Sequence, residues 1–252
     1  MNSAYDRRVA VLGELGNSTS SQLPGLLSSV LVPVGSTEQH GPHLPLDTDT
    51  RIAVAVARDV ALRLATAPAT TGAQQQWLVA PAIAYGDSGE HQSFPGTISI
   101  GTKALTLLLV EYGRSAGCWA RRLVFVNGHG GNVEALNSAV SQLRSEARDV
   151  GWCSCTSASA DAHAGHTETS ILLHLSPADV RTGRSQPGNR APLTEVMPTM
   201  RRRGVAAVSE LGVLGDPTTA SPAEGERIFA EMVDGCVCAI RNWAPDAGGM
   251  LR

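Results

Sequence analysis

Between Glu38 and Thr50 the sequence EQHGPHLPLDTDT places two histidines and three acids within thirteen residues. Glu38 and His40, at i and i+2, point to the same side of an extended chain, so both reach one point. Asp49 follows nine residues after His40, and a loop turning back at Pro42 and Pro45 returns its carboxylate to that point. Mixed carboxylate and imidazole donors suit Zn, Mn or Fe(II) better than Ca or Cu(I). NGHGGN (127–132) adds His129 among glycines that let backbone and substrate come close, with N–H groups available to a developing oxyanion. DAHAGHTETS (161–170) adds His163 and Glu168. Glu38, His40, Asp49, His129 and Glu168 then make a set able to hold two divalent ions, with Asp49 as the bridge. Ions about 3.5–4 Å apart activate a bridging water and polarise an amide carbonyl together. His163, not needed as a ligand, is placed to protonate the leaving amine.

Each motif alone has an ordinary reading. E-x-H arises by chance, a glycine loop with one histidine is common turn chemistry, and Asp49 or Glu168 can serve a helix N-terminus. Position is what joins them. SVLVPVG (29–35), LVAPAIAYG (78–86), RLVFVNG (122–128) and GWCSCTSAS (151–159) read as buried strands. TRIAVAVARDVALRLA (50–65), KALTLLLVEYGRSAG (103–117), the segment 132–150 with Asn132 as N-cap, a helix from 167 to 175 and a last one over 222–243 read as helices. Alternation of this kind predicts an α/β layered sandwich, a mainly parallel central sheet flanked by helices. Ligands of such sheets sit beyond the carboxyl ends of the strands. The loops 36–49, 86–97, 127–132 and 161–168 all fall there, and six of the seven histidines lie in them, His174 being left to a helix. His43 and Asp47 then fall to supporting roles. Glu90, His91 and Ser93 are candidates for substrate contact through their loop alone. Residues 187–198 have the least regular pattern, and a mobile or oligomer-contacting segment is expected there.

With 252 residues and 42% hydrophobic content, residues 1–252 are expected to form a single domain. A net charge of -3 gives no electrostatic case for nucleic acid or an anionic membrane as partner. The opening MNSAYDRRVAVLGEL lacks signal-peptide features, and no apolar run approaches a membrane span, so a soluble, cytoplasmic protein is expected. Five cysteines without a C-x-x-C pair argue against a disulfide framework or a thiolate zinc site.

GSTEQHGPHLPLDTD (35–49), GEHQSFPGTISIG (89–101), NGHGGN (127–132), HAGHTETS (163–170) and GVLGDPTTASPAEGE (212–226) together resemble the creatininase (creatinine amidohydrolase) family over nearly the whole chain. The resemblance implies a three-layer or four-layer-like α/β sandwich, a homo-oligomer and a dinuclear centre of divalent ions. Carried over by position, it puts metal ligands at Glu38, His40, Asp49 and His129, with Glu168 as fifth and His163 in the acid/base role. Two departures stand out. Gly131 occupies a position where creatinine-hydrolysing members carry a ligand carboxylate, and Ala162 one where they carry a glutamate. DAHAGHTETS, APAIAYGDSGEHQSFPGTISIG and the ending WAPDAGGML are most similar to the peptidase branch that serves mycofactocin maturation. That likeness implies a modified precursor peptide as substrate, cleaved at a Gly–Val bond to release a C-terminal Val-Tyr-derived piece. Two other functions are compatible with the residues: a cyclic-amide or formamide hydrolase of creatinine-like small molecules, and a non-catalytic metal-binding scaffold of a biosynthetic complex.

Overall fold

The computed structural model of the protein describes residues 13–23, 28–66, 76–157 and 161–252. Four strands, β1 (Ser28–Val34), β2 (Gln76–Val79), β3 (Arg122–Asn127) and β4 (Val150–Ser154), form one sheet. Their order is β2-β1-β3-β4, and every pairing is parallel. Strand residues alternate between two cores, as the period of two requires. Val30, Val32, Val34, Leu123, Phe125 and Trp152 face the helices α2 (Gly101–Ala116) and α3 (Val133–Ser145). Leu31, Val124, Val126 and Cys153 face α1 (Thr48–Ala65), α4 (His166–Leu175) and α6 (Pro222–Asn242). The result is a three-layer sandwich with the sheet buried on both faces.

Both sheet edges are covered. Val79 of β2 takes a bridge from Glu14, while Trp152 of β4 exchanges backbone bonds with Gly249 and Leu251 near the chain's end. All five cysteines are free thiols. Among the described residues, no helix is long and apolar enough to cross a membrane. The opening segment read for a signal peptide lies mostly outside the described residues, as do the last residues of the segment predicted as the fourth strand.

Several elements differ from the sequence expectation. The strand predicted over 78–86 ends at Val79, because the register then slips by one residue: Ala80 N–H still bonds the Leu31 carbonyl, but the next bond to β1, to the Pro33 carbonyl, comes from Ile83 and not from Ala82. Ile83 in turn accepts from the Gly35 N–H. The helix predicted over 132–150 stops at Ser145, and the Asn132 side chain does not cap it. Asn132 instead donates to the Gly35 carbonyl and to Asn127 Oδ1, and accepts from the Asp87 N–H, tying together three loops at the sheet edge. His166 begins α4 rather than lying in a loop. Residues 193–198, expected to be irregular, open a helix, α5 (Leu193–Arg203), which tolerates Pro198. Its apolar side chains Val196 and Met200 pack with Val205 and Leu214 into a small separate core.

Two glycines let α1 start against the strand ends. A Cβ on Gly35 would overlap the Thr50 backbone, and one on Gly128 would overlap the Asp49 carbonyl. The first turn of α1, which carries Asp49, therefore sits directly on the ends of β1 and β3. Gly128→Ala is expected to lower unfolding free energy by about 1–3 kcal/mol in urea titration, because backbone must move. Gly130→Ala, whose Cβ meets nothing within 4 Å, should leave it unchanged.

Candidate metal centre

The loop after β1 turns Glu38 and His40 into the interior, where both are fully buried. Asp49 joins them from the first turn of α1, His129 from the loop after β3, and Glu168 from the first turn of α4. Their ligand atoms cluster into two triads that share one residue: Glu38, Asp49 and His129, and His40, Asp49 and Glu168. Within each triad the atoms lie within 4.8 Å of one another. All five residues singled out in the sequence are thus brought together, and Asp49 is the one that belongs to both triads. A third group of Glu38, His40 and His163 places His163 at the edge of the same cluster.

Hydrogen bonds aim these side chains. His40 donates from Nδ1 to the Glu38 carbonyl at 3.1 Å, which leaves Nε2 facing Asp49 Oδ1 at 3.1 Å and Glu168 Oε2 at 3.7 Å. Such a bond on the far nitrogen is how metal-binding imidazoles are oriented. His129 Nδ1 lies 3.2 Å from Asp49 Oδ2, and its Nε2 lies 2.9 Å from the Asp87 carbonyl and 3.2 Å from Glu38 Oε2. The Ser36 hydroxyl donates to Asp49 Oδ2 at 2.6 Å, and the Ala164 N–H to Glu168 Oε2 at 2.6 Å. Ala164 takes φ +51°, a left-handed conformation that a non-glycine residue adopts at some cost beside the site.

Charge is the dominant feature of the cluster. Burial pushes the Glu38 carboxyl up to about 7, with His129 opposing it. Burial likewise raises Glu168 to about 7, against the pull of His40. Burial works against charge on His40, yet Asp49 and Glu168 lift that imidazole to about 10. His129 is raised well above its ordinary value in the same way, by Glu38 and Asp49. Asp49 would be raised by burial but is held well below the carboxylate range by His40 and His129. Neither carboxylate oxygen of Glu38 has a hydrogen-bond partner. A fully buried carboxylate in that condition fits a cation as its missing partner.

Sequence reasoning passed over Gln39 and left His91 as a mere candidate. The two N–H bonds of the Gln39 amide are taken by His91 Nδ1 at 2.8 Å and the Gly212 carbonyl at 3.1 Å, while its Oε1 accepts from the Gly41 N–H. His163 Nε2 must then donate its own proton to the Gln39 main-chain carbonyl at 2.8 Å. His163 Nδ1 is left unprotonated and faces Glu38 Oε1 at 3.6 Å. His91, accepting at Nδ1, carries its proton on Nε2, which lies 3.3 Å from Glu38 Oε1 without forming a hydrogen bond to it. The His163 ring lies 4.4 Å from both His40 and His91, and burial together with the His40 charge holds it well below its ordinary pKa. The sequence signal for Gln39 was its place between two ligands, which by itself says nothing about a side chain turned the other way. His43 bonds Thr169 and Asp47 pairs with Arg51, so both stay outside the cluster.

The cluster floors an open cleft of about 1040 Å³. Glu90 and Ala162 line it, as do Gly130, Gly131 and residues of α5. Ser93 is not among the lining residues. A Cβ at Gly131 would overlap the Asp87 carbonyl and stand 3.1 Å from Glu90 Oε1. A carboxylate cannot be carried there without moving the loop that holds Glu90.

The creatininase family model, described as creatinine amidohydrolase, matches residues 19–240. A protein of Mycobacterium tuberculosis named mycofactocin precursor peptide peptidase is 70% identical over 251 residues, covering 100% of each chain. Among solved structures, a creatininase mutant described as Zn-Zn type superposes with a TM-score of 0.68 at 27% identity, over 97% of each chain. One described as creatininase Mn does so with a TM-score of 0.67 at 27% identity, over 97% of this chain and 98% of the other. With its sheet order, its buried carboxylate–imidazole cluster and a match over most of its length, this chain belongs to the creatininase family of hydrolases.

Proposed function

We propose that the protein is a two-metal amide hydrolase that acts as a peptidase on the modified mycofactocin precursor peptide, releasing its C-terminal Val-Tyr-derived piece. The observation that carries the chemistry is the pair of ligand triads meeting at Asp49 on the floor of the cleft. Similarity over the full length to the mycobacterial peptidase supports the substrate. So does the cleft, whose volume of about 1040 Å³ reaches the upper end of small-molecule sites. Gly131 and Ala162 also lack the carboxylates that the creatinine-hydrolysing pattern requires. The proposal places the enzyme in the cytoplasm as a homo-oligomer, as its family resemblance implies.

Glu38, Asp49 and His129 would hold one ion and His40, Asp49 and Glu168 the other, with Zn, Fe(II) or Mn all suited to these donors. Two such ions, when bound, supply an activated water and polarise the scissile carbonyl. The protein's own part is to place and move protons. His163 is neutral, fixed as the Nε2–H tautomer by the Gln39 carbonyl, and its free Nδ1 faces the cluster. Nδ1 is thus able to take a proton from the attacking water and pass it to the departing amine. Gln39 and His91 support that geometry, the Gln39 amide bonding both His91 Nδ1 and the Gly212 carbonyl and so holding the backbone that His163 bonds. Gly130 and Gly131 line the cleft, and their backbone N–H groups are candidates to face a developing oxyanion.

Incubating the metal-loaded enzyme with modified precursor peptide and, separately, with creatinine tests the substrate by mass spectrometry of the products. Cleavage of the peptide alone is expected, and turnover of creatinine alone would overturn the reading. Asp49→Ala is expected to lose metal and activity together, measured by elemental analysis and product formation. His163→Ala should retain metal and lose about 10²–10⁴-fold in kcat.

Proton competition gives a third expectation. Glu38 and Glu168 are raised to about 7 and His40 to about 10, so these groups hold protons that an ion must displace. Apparent metal affinity should therefore rise steadily from about pH 6 to about pH 9, with proton release on binding. Calorimetric titration in buffers of different ionisation enthalpy measures both, and an affinity independent of pH would contradict the charge balance described above.

A further inference from the structure

The last turn of α5 contains Arg201, Arg202 and Arg203, all exposed. Positive charge at a helix C-terminus offsets the helix dipole, and that alone accounts for a basic run. It does not account for where the three side chains go. Arg201 and Arg202 line the cleft above the candidate metal centre and Arg203 does not. Among the described residues lining that cleft, these two are the only arginines or lysines, set against Asp49, Asp87, Glu90, Glu134 and Glu168. Neither forms an ion pair among the described residues, although arginines elsewhere on the surface do, as Arg190 does with Asp216 and Arg227 with Glu224. Leu193, Met197 and Met200 of the same helix line the cleft beside them, so α5 offers an apolar strip ending in two free guanidinium groups.

We propose that Arg201 and Arg202 form a carboxylate-binding subsite that anchors the peptide substrate over the catalytic floor; this rests on the peptidase reading given above. A guanidinium presents a planar fork that matches a carboxylate with two parallel N–H···O bonds. Asp87, Glu90 and Glu134, which line the cleft and are not needed to hold an ion, disfavour a substrate carboxylate beside them, while the arginine pair retains it on α5. An anionic peptide is thereby oriented with its negative group on α5 and its scissile amide toward Asp49 and His163. The carboxylate is either an acidic side chain of the peptide or its chain terminus, and the two sources are separable by experiment.

The test uses the metal-loaded enzyme and a precursor-derived peptide in three forms: native, with Asp and Glu replaced by Asn and Gln, and with its chain terminus amidated. The Arg201→Gln/Arg202→Gln double variant should raise KM for the native peptide about 10-fold, with metal content unchanged. Neutralising the recognised carboxylate should raise the wild-type KM by a similar factor and add little further in the double variant. Whichever modified peptide shows this pattern identifies the source. Arg203→Gln should leave KM as in wild type. An equal loss by the double variant on every peptide, or by Arg203→Gln as well, would assign the arginines to helix stability and overturn the subsite. Wild-type turnover that ignores substrate charge overturns the subsite alone. A wild-type enzyme that cleaves none of the peptides overturns the peptidase reading, and the subsite with it.

Discussion

Three carboxylates, Glu38, Asp49 and Glu168, converge at one point of the fold, two of them fully buried, and only positive charge can hold them together there. Carboxylates taken out of water repel one another and lose hydration, a cost that hydrogen bonds only partly offset. Ser36 and the Ala164 N–H satisfy one oxygen each on Asp49 and Glu168, and Glu38 has no such bond. His40 and His129 supply the remaining balance through raised pKa values, and burial lifts Glu38 and Glu168 toward neutrality. A cluster that draws protons this strongly is also one that divalent ions compete for effectively. Its architecture makes sense as a cation site first and as a collection of side chains second.

The sheet exists, for this purpose, to deliver loops to that point. Parallel pairing of β1 with β2 and β3 sets the strand ends side by side, so the loops after them open at one edge. Gly35 and Gly128 then admit the first turn of α1 against the ends of β1 and β3, which puts Asp49 within reach of both triads. Asn132 draws the loops at 35, 87 and 127 together from beneath. Asp161 does comparable work at α4, its carboxylate taking the N–H groups of His166 and Thr167 and so fixing the turn that carries Glu168.

The chemistry was more legible in the sequence than the elements that frame it, for a physical reason. Glu38, His40, Asp49, His129, His163 and Glu168 are residue types that a buried cluster tolerates only with a partner, and their spacing relative to the strands was enough to gather them. Strand and helix ends depend on contacts that periodicity does not carry. A one-residue slip between Ala80 and Ile83 broke a ladder inside an apolar run, and Asn132 committed its side chain to tertiary bonds instead of capping. Helix α5 was missed because Pro198 interrupts its local pattern, while Val196 and Met200 pack against Val205 and Leu214, which lie outside the helix. Gln39 was invisible for a related reason: an amide between two ligands is identified as a tautomer-setting group only when His91 and Gly212 are seen around it.

What separates members of such a family is the roof of the cleft, and here roof and floor follow different rules. The floor is fixed by charge balance, so losing any one of its charged side chains leaves the others buried without compensation. The roof is freer to change at Leu193, Arg201 and Arg202, which are exposed, than at Met200 and Leu214, which belong to the small core beneath. Gly131 shows the coupling between the two: without a side chain there, the loop bearing Glu90 closes over the space, and a carboxylate reaches the cleft wall from a different strand's loop. Ala162 leaves the wall beside His163 small, and α5 closes the opposite side with methionine, leucine and arginine in place of further acids. Below lies a donor set that suits amide hydrolysis; above it stands a wide wall, partly apolar and partly cationic, so substrate choice rests with the wall, and the proposed arginine subsite would turn that choice toward an extended, acid-bearing peptide over a small neutral ring.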